Sequence, residues 1–139
     1  MKKLDKVLLI DDSKADNFIH KRVIKKADIT DNIIVKYSGQ SALEYLTTKV
    51  DGHYPTPELV FLDINMPGMD GWEFLEEYEK LEEAQRAGVI VCMLTTSIAE
   101  KDQQRANNYA KISSYRHKPL TDQMLFEILE TFFPDRFSE

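Results

Sequence analysis

The chain has 139 residues and a formal net charge of −6, with 42% apolar and 30% charged residues. Its length argues for one domain, because domains most often have about 100–150 residues. The composition is too apolar for a disordered chain, and the acidic balance argues against a nucleic-acid binder. A single cysteine, Cys92, excludes an intramolecular disulfide framework. One cysteine fits a reducing compartment, so we expect a cytoplasmic protein.

The sequence does not predict a membrane segment. The longest apolar run, 89–94, is far shorter than the ~20 residues that a membrane span requires. The N-terminus has no apolar stretch long enough for a signal peptide. We expect a single domain over residues 1–139, with no membrane contact and no room for an output domain.

Short aliphatic runs alternate with longer amphipathic stretches along the chain. Runs that are apolar throughout are typical of parallel strands buried on both faces. The predicted strands are 7–10, 33–35, 59–62, 89–94 and a weaker edge strand at 112–117. Because strands and helices alternate, we expect a doubly wound α/β fold whose five-stranded parallel sheet is covered by helices on both faces.

The stretches between the strands predict five helices. They begin after Ser13, at Ser41, after Asp70, after Ser97 and near Thr121, and Pro134 stops the last one. Ser13 and Asp70 are residues that commonly cap a helix N-terminus. In the first helix the apolar residues Phe18, Ile19 and Val23 share one face. We therefore expect this face to be the one that packs on the sheet.

Residues that can carry chemistry follow four of the five predicted strands. The first strand ends in Asp11 and Asp12, the third in Asp63, the fourth in Thr95 and the fifth in Lys118. Ligands of parallel sheets bind beyond the carboxyl ends of the strands. Clustered carboxylates repel one another, and both Mg²⁺ and the ammonium of Lys118 offset that repulsion well. An Asp at a strand end is more often a helix cap than a functional residue, and Thr95 and Lys118 can be a cap and a loop residue, so only the joint placement of these residues indicates a site.

These residues belong to four segments that resemble the receiver domain of two-component response regulators. The segments are Val7–Ser13, Leu62–Gly71, Leu94–Thr95 and Lys118–Pro119. The resemblance covers essentially the whole chain, and it implies a flavodoxin-like (βα)5 fold with strand order 2-1-3-4-5. The loop 47–57 and the segment 94–97 are similar to those of regulators partnered with phytochrome-like kinases.

The resemblance implies a phosphoacceptor switch and not an enzyme with free substrate turnover. Asp63 would accept a phosphoryl group from the phosphohistidine of a sensor histidine kinase or a histidine phosphotransfer protein. Asp12 would bind Mg²⁺ directly and Asp11 largely through water, with Asp63 and the backbone carbonyl of Asn65 completing the set. Lys118 would neutralise phosphoryl charge, because positioning and charge neutralisation carry most of phosphoryl transfer.

Thr95 and Tyr115 resemble the switch pair of receivers. The Thr95 hydroxyl would move to donate to the new phosphoryl oxygens, and the Tyr115 ring would turn into the vacated space. This rearrangement would change a surface that an unidentified downstream protein reads. Tyr115 is explained equally well as an ordinary half-buried aromatic.

Four more residues are expected to shape the site. Pro67 belongs to the turn after the phosphoacceptor, and Gly71 lies where a helix approaches the site. Thr96 is larger than the small residue usual in receivers and narrows access to the phosphoryl group. By resemblance the peptide bond before Pro119 is cis, which would aim the preceding ammonium inward.

Two other functions remain open. One is an aspartyl-phosphate phosphatase of the haloacid-dehalogenase type, which normally needs a second Asp two residues after the nucleophile. Asn65 stands at that position and disfavours it. The other is a degenerate receiver that serves only as a binding scaffold, against which the intact acidic set argues. The oligomeric state is open between monomer and homodimer, and the aromatic tail 132–137 is free either to pack back or to form a dimer contact.

Overall fold

The structure, a computed structural model, describes residues 3–94 and 114–137, apart from the side chains of 91–94, 114, 115 and 137. The strands are β1 (Val7–Ile10), β2 (Ile33–Lys36), β3 (Leu59–Asp63), β4 (Val89–Leu94) and β5 (Ser114–His117). The helices are α1 (Lys14–Ala27), α2 (Gly39–Thr47), α3 (Gly71–Glu79), α4 (Asp122–Phe132) and the short α5 (Pro134–Phe137), with a 3-10 turn at Glu83–Gln85. The helix predicted after Ser97 lies outside the described residues, as does the Cys92 side chain.

All neighbouring strands of the described sheet pair in parallel, in the order β2-β1-β3-β4-β5. Leu9 of β1 lies beside Val35 on one side and Phe61 on the other, and Asp63 ends β3 beside Met93. The predicted α/β fold with a parallel sheet is therefore confirmed. Its carboxyl edge collects the ends of β1, β3 and β5, which carry the predicted site.

The core consists of two apolar layers, one on each face of the sheet. Alternate residues of β1 enter opposite layers: Leu8 packs with α2 and α3, whereas Leu9 packs with α1 and α4. Both leucines are at most 1% exposed. Each such side chain contributes about 1.5–3 kcal/mol on burial. The strand ends are thus held by side chains packed from both sides.

Local sequence signals set the helix starts. The side chains of Ser13, Asp70 and Thr121 cap α1, α3 and α4 by accepting from backbone N–H groups in the first turn. In α2 the cap is Ser38 and the helix begins at Gly39, so the predicted start at Ser41 was two residues late. Ser38 and Ser41 are both good caps, and the sequence alone did not separate them.

The first helix presents a different face from the one predicted. Phe18 and Ile19 are 65% and 44% exposed, so the expectation that they pack on the sheet is wrong. The buried residues of α1 are Asn17, His20 and Ile24. The Asn17 amide donates to the Asp11 carbonyl oxygen at 2.8 Å. That hydrogen bond turns a polar residue inward and leaves the aromatic neighbour on the surface.

The C-terminal tail packs back on the domain as far as it is described. Phe132 and Phe133 contact the apolar layer under α1 and α4. Arg136 Nη1 lies 2.7 Å from Glu58 Oε2, which also accepts from the Asp5 backbone N–H. Among the described residues, the helices are all too short or too polar to cross a bilayer.

Candidate phosphoryl-acceptor site

Three carboxylates meet at the carboxyl edge of the sheet. Asp11, Asp12 and Asp63 each offer an oxygen, and these three oxygens lie within 4.8 Å of one another. Asp11 and Asp63 are both 3% exposed, whereas Asp12 is open to solvent. The site therefore has a buried acidic floor with one accessible carboxylate at its mouth.

Backbone and side-chain donors hold Asp11 in place through both its carboxylate and its main-chain carbonyl. Its Oδ1 accepts from the Ser13 N–H at 2.9 Å, and its main-chain carbonyl accepts from Asn17 Nδ2 at 2.8 Å. Asp11 N in turn donates to the Lys36 carbonyl of β2 at 3.1 Å. The start of α1 and the end of β1 thus form one rigid corner at the site.

Lys118 is the cation at the centre of this cluster. Its Nζ lies 2.8 Å from Asp11 Oδ2, 2.9 Å from Asp16 Oδ2 and 3.1 Å from Asp63 Oδ1. The peptide bond between Lys118 and Pro119 is cis, as predicted. Asp16 was not predicted as part of the site. An acidic residue in the first turn of a helix is normally explained by the helix dipole, so no sequence signal distinguished it.

The acidic floor has unusual proton affinities. Burial raises the pKa of Asp63 from 3.8 to about 6, and the Asp11 charge adds to this while Lys118 opposes it. Burial by itself would lower the pKa of Lys118, but its hydrogen bonds to Asp11 and Asp16 raise it above its ordinary value. The lysine therefore stays charged, and Asp63 is ionised at neutral pH.

A tight turn brings α3 against the end of β3. The Gly71 N–H donates to the Ile64 carbonyl at 2.9 Å, and the Asn65 N–H donates to Asp63 Oδ1 at 3.3 Å. A Cβ on Gly71 would lie 2.7 Å from the Ile64 Cα and 2.8 Å from the Asp63 carbonyl oxygen. Only glycine fits here without moving backbone. Pro67 is exposed, and Gly68 beside it adopts φ 73°.

The remaining predicted residues are placed as follows. Asn65 lies two residues after the end of β3 and is exposed. Thr95 and Thr96 lie outside the described residues, and for Tyr115 only the backbone position in β5 is described. Trp72, which follows Gly71, is 4% exposed and packs in the apolar layer under α3.

The donor set suits a hard cation. All three clustered ligands are carboxylate oxygens, the type that Mg²⁺ prefers, and the exposed Asp12 leaves room for water or phosphate oxygens. Thus the residues present fit a divalent ion of this class.

Most of the chain matches the family model of the response regulator receiver domain, which aligns with residues 7–130. The chain belongs to this family. Its flavodoxin-like α/β fold with a parallel sheet is that of a receiver domain in two-component signalling.

Two regulatory proteins resemble the chain along more than two thirds of its length. It is 32% identical over 125 residues to the probable methanogenesis regulatory protein FilR2 of Methanothrix harundinacea, covering 89% of this chain and 78% of FilR2. It is 37% identical over 99 residues to response regulator Rcp1 of Synechocystis, covering 69% of this chain and 65% of Rcp1.

Two solved structures show the same fold. The Mn²⁺-bound form of Rcp1 matches with a TM-score of 0.71 and 28% identity, covering 96% of this chain and 97% of that one. A two-component response regulator from Cytophaga hutchinsonii matches with a TM-score of 0.80 and 27% identity, covering 96% and 99%.

Proposed function

We propose that this receiver accepts a phosphoryl group on Asp63 from the phosphohistidine of a sensor histidine kinase or a histidine phosphotransfer protein. The observation that carries the proposal is the position of Asp63. It is a buried carboxylate at the end of β3, 3.1 Å from the Lys118 ammonium and within 4.8 Å of two further carboxylates. The carboxylates favour a bound cation. Such a cation and the Lys118 ammonium would together stabilise the negative oxygens of a phosphoryl group.

In the proposed reaction an Asp63 carboxylate oxygen attacks phosphorus and forms an acyl phosphate. The P–N bond to the donor histidine breaks, and the imidazole leaves with the bonding electrons and takes up a proton. Lys118 already contacts Asp63, so its charge lies where phosphoryl oxygens arrive. Asp16 and Asp11 hold the lysine in that position.

Asp11, Asp12 and Asp63 would hold Mg²⁺, together with the Asn65 carbonyl. When bound, the ion supplies positive charge beside the transferring phosphoryl group. The Mn²⁺-bound form of Rcp1 supports a divalent ion for this class of regulator. Asp12 is the most accessible of the three carboxylates and is the one we assign as a direct ligand.

The protein is then a switch that catalyses only its own phosphorylation and dephosphorylation. Thr95 and Tyr115 are proposed to carry the signal to a partner-binding surface. The parallel pairing of β5 with β4, which puts β5 at the sheet edge in the order 2-1-3-4-5, supports this because an edge strand is accessible to a partner. A cytoplasmic location is part of the proposal and fits a single cysteine. Partnership with a phytochrome-like kinase stays a prediction.

Intact-protein mass spectrometry after incubation with Mg²⁺ and acetyl phosphate tests the proposal. We expect the added mass of one phosphoryl group, lost on treatment with hydroxylamine and absent in Asp63→Asn. Steady release of phosphate from varied monoesters, dependent on Asp63, would indicate the phosphatase instead. An unchanged mass in the presence of both reagents would leave the scaffold as the explanation.

A further inference from the structure

Asn17 is a buried polar residue on the inward face of α1. It is 4% exposed, and its amide reaches the end of β1, where two of the clustered carboxylates stand. Nδ2 donates to the main-chain carbonyl of Asp11 at 2.8 Å. Because a carbonyl oxygen only accepts, the NH₂ end of the amide is the one that faces Asp11. The orientation of the Asn17 side chain is thereby fixed.

The other end of the same amide is unsatisfied. Asn17 Oδ1 is buried and has no hydrogen-bond partner among the residues that the structure describes. A buried acceptor without a partner destabilises the folded state, so packing alone would favour an apolar side chain here. The amide is useful only through the bond that Nδ2 makes. Its contribution therefore lies at Asp11.

The carbonyl that Asn17 holds belongs to the peptide group between Asp11 and Asp12. A peptide group is planar, so a fixed oxygen also fixes the direction in which the backbone enters Asp12. Asp11 has a further support, because its Oδ1 accepts from the Ser13 N–H. Asp12 is exposed, and none of the hydrogen bonds within the described part of the chain involves its carboxylate. The direction of the Asp12 side chain thus depends on the backbone that Asn17 holds.

We propose that Asn17 is a positioning residue for the magnesium site, which holds the Asp11–Asp12 peptide group so that the Asp12 carboxylate is directed at the ion. Groups that orient metal ligands from behind commonly matter for affinity almost as much as the ligands do. The inference deepens the proposed function and rests on its magnesium site. It assigns a role to the polar residue that turns α1 inward.

His20 offers a matched comparison. It lies three residues further along the same inward face of α1 and is 3% exposed. Its Nε2 is also buried without a partner among the described residues. Burial lowers the pKa of His20, so the imidazole is uncharged at neutral pH. A substitution there disturbs similar packing and leaves the bond from Asn17 to the Asp11 carbonyl in place.

Calorimetric titration with Mg²⁺ tests the proposal. Asn17→Leu fills the position with an apolar side chain, whereas Asn17→Ala leaves a cavity, and both remove the hydrogen bond. We expect both variants to bind Mg²⁺ about tenfold more weakly, although Asn17→Ala should be the less stable of the two. His20→Leu should bind Mg²⁺ like the unmodified chain.

The rate of phosphorylation by acetyl phosphate, measured against Mg²⁺ concentration, gives a second readout. In both Asn17 variants the half-saturating Mg²⁺ concentration should rise by the same factor, and the rate at saturating Mg²⁺ should return to that of the unmodified chain. A rate that stays low at saturation would overturn the inference, because Asn17 would then act on something other than metal binding.

The affinities separate the remaining outcomes. Asn17 variants that bind Mg²⁺ as tightly as the unmodified chain overturn the inference and leave the proposed function intact. A loss of affinity that follows stability, and that His20→Leu shares, overturns it in favour of a purely structural role. An unmodified chain that binds no Mg²⁺ overturns the proposed magnesium site itself, and the inference falls with it.

Discussion

The ammonium of Lys118 lies 3.1 Å from Asp63 Oδ1, and β4 separates β3, which ends at Asp63, from β5, which Lys118 follows. The lysine spans one strand to reach the carboxylate and is 13% exposed at its side chain. This contact joins two predicted site residues that are far apart in sequence. It also makes Lys118 part of the folded core and not only of the chemistry.

Replacing Lys118 with Met should destabilise the chain strongly at neutral pH. The change leaves Asp11 and Asp63 buried without their cation, and breaking such a pair by removing one partner costs about 3–5 kcal/mol. Urea denaturation at pH 7 with a chelator present measures the loss. Lys80→Met is the matched control, because Lys80 pairs with Glu77 on the surface at 71% exposure and should cost less than about 0.5 kcal/mol. Equal effects of the two substitutions would show that Lys118 has no structural role.

Asp63→Asn should make the chain more stable at pH 7 without metal. The pKa of Asp63 is raised from 3.8 to about 6, so between these values the folded chain binds more protons than the unfolded one. Stability contributed by this group is therefore complete below pH 4 and is lost as the pH rises through 6. A shift of this size corresponds to about 3 kcal/mol, which Asn recovers at neutral pH.

The pH profile of unfolding checks that sign. The gain from Asp63→Asn should disappear toward pH 4, whereas Asp135→Asn, a change at an exposed position, should follow the unmodified chain throughout. A variant that is less stable than the parent at pH 7 with chelator would contradict the burial argument.

Magnesium should raise the thermal midpoint through the acidic cluster. A ligand at 100 times its dissociation constant stabilises the folded state by about 2.7 kcal/mol. Asp12→Ala should abolish most of this response, because it removes the accessible carboxylate of the cluster. The free energy of unfolding of this variant without metal should not fall, because the substitution removes a charge that the Asp11 and Asp63 carboxylates repel. An unchanged magnesium response in Asp12→Ala would move the metal site elsewhere.

Gly71→Ala should damage the site through the backbone. The new Cβ would meet the Ile64 Cα at 2.7 Å and the Asp63 carbonyl oxygen at 2.8 Å, so α3 must move away from β3. We expect a loss of about 1–3 kcal/mol, as for other overpacked sites, and slower phosphorylation by acetyl phosphate. Gly39→Ala is the control: its Cβ meets the flexible Met69 Sδ at 2.8 Å. That change should be nearly neutral, because alanine also favours the helix.

The sequence predicted the sheet and much of the site because both depend on local patterns. Apolar runs followed by Asp11 or Asp63 identify buried strands and what stands at their ends. The inward face of α1 was not predictable in this way. Periodicity assigned Phe18 to the core. In the structure Asn17 donates to the Asp11 carbonyl, which places a polar residue on the inward face of the helix and leaves Phe18 on the outward face. Asp16 was missed for the related reason that its partner is Lys118, distant in sequence.

Peptide mapping shows whether Asp63 is the residue that receives the phosphoryl group. The chain is treated with acetyl phosphate and Mg²⁺, and the acyl phosphate is reduced with borohydride, which converts a phosphorylated aspartate to homoserine. Digestion and peptide sequencing by mass spectrometry then locate it. We expect homoserine at position 63 and aspartate retained at positions 11, 12 and 16. Homoserine at any of those three positions, with position 63 unchanged, would show that Asp63 is not the phosphoryl acceptor.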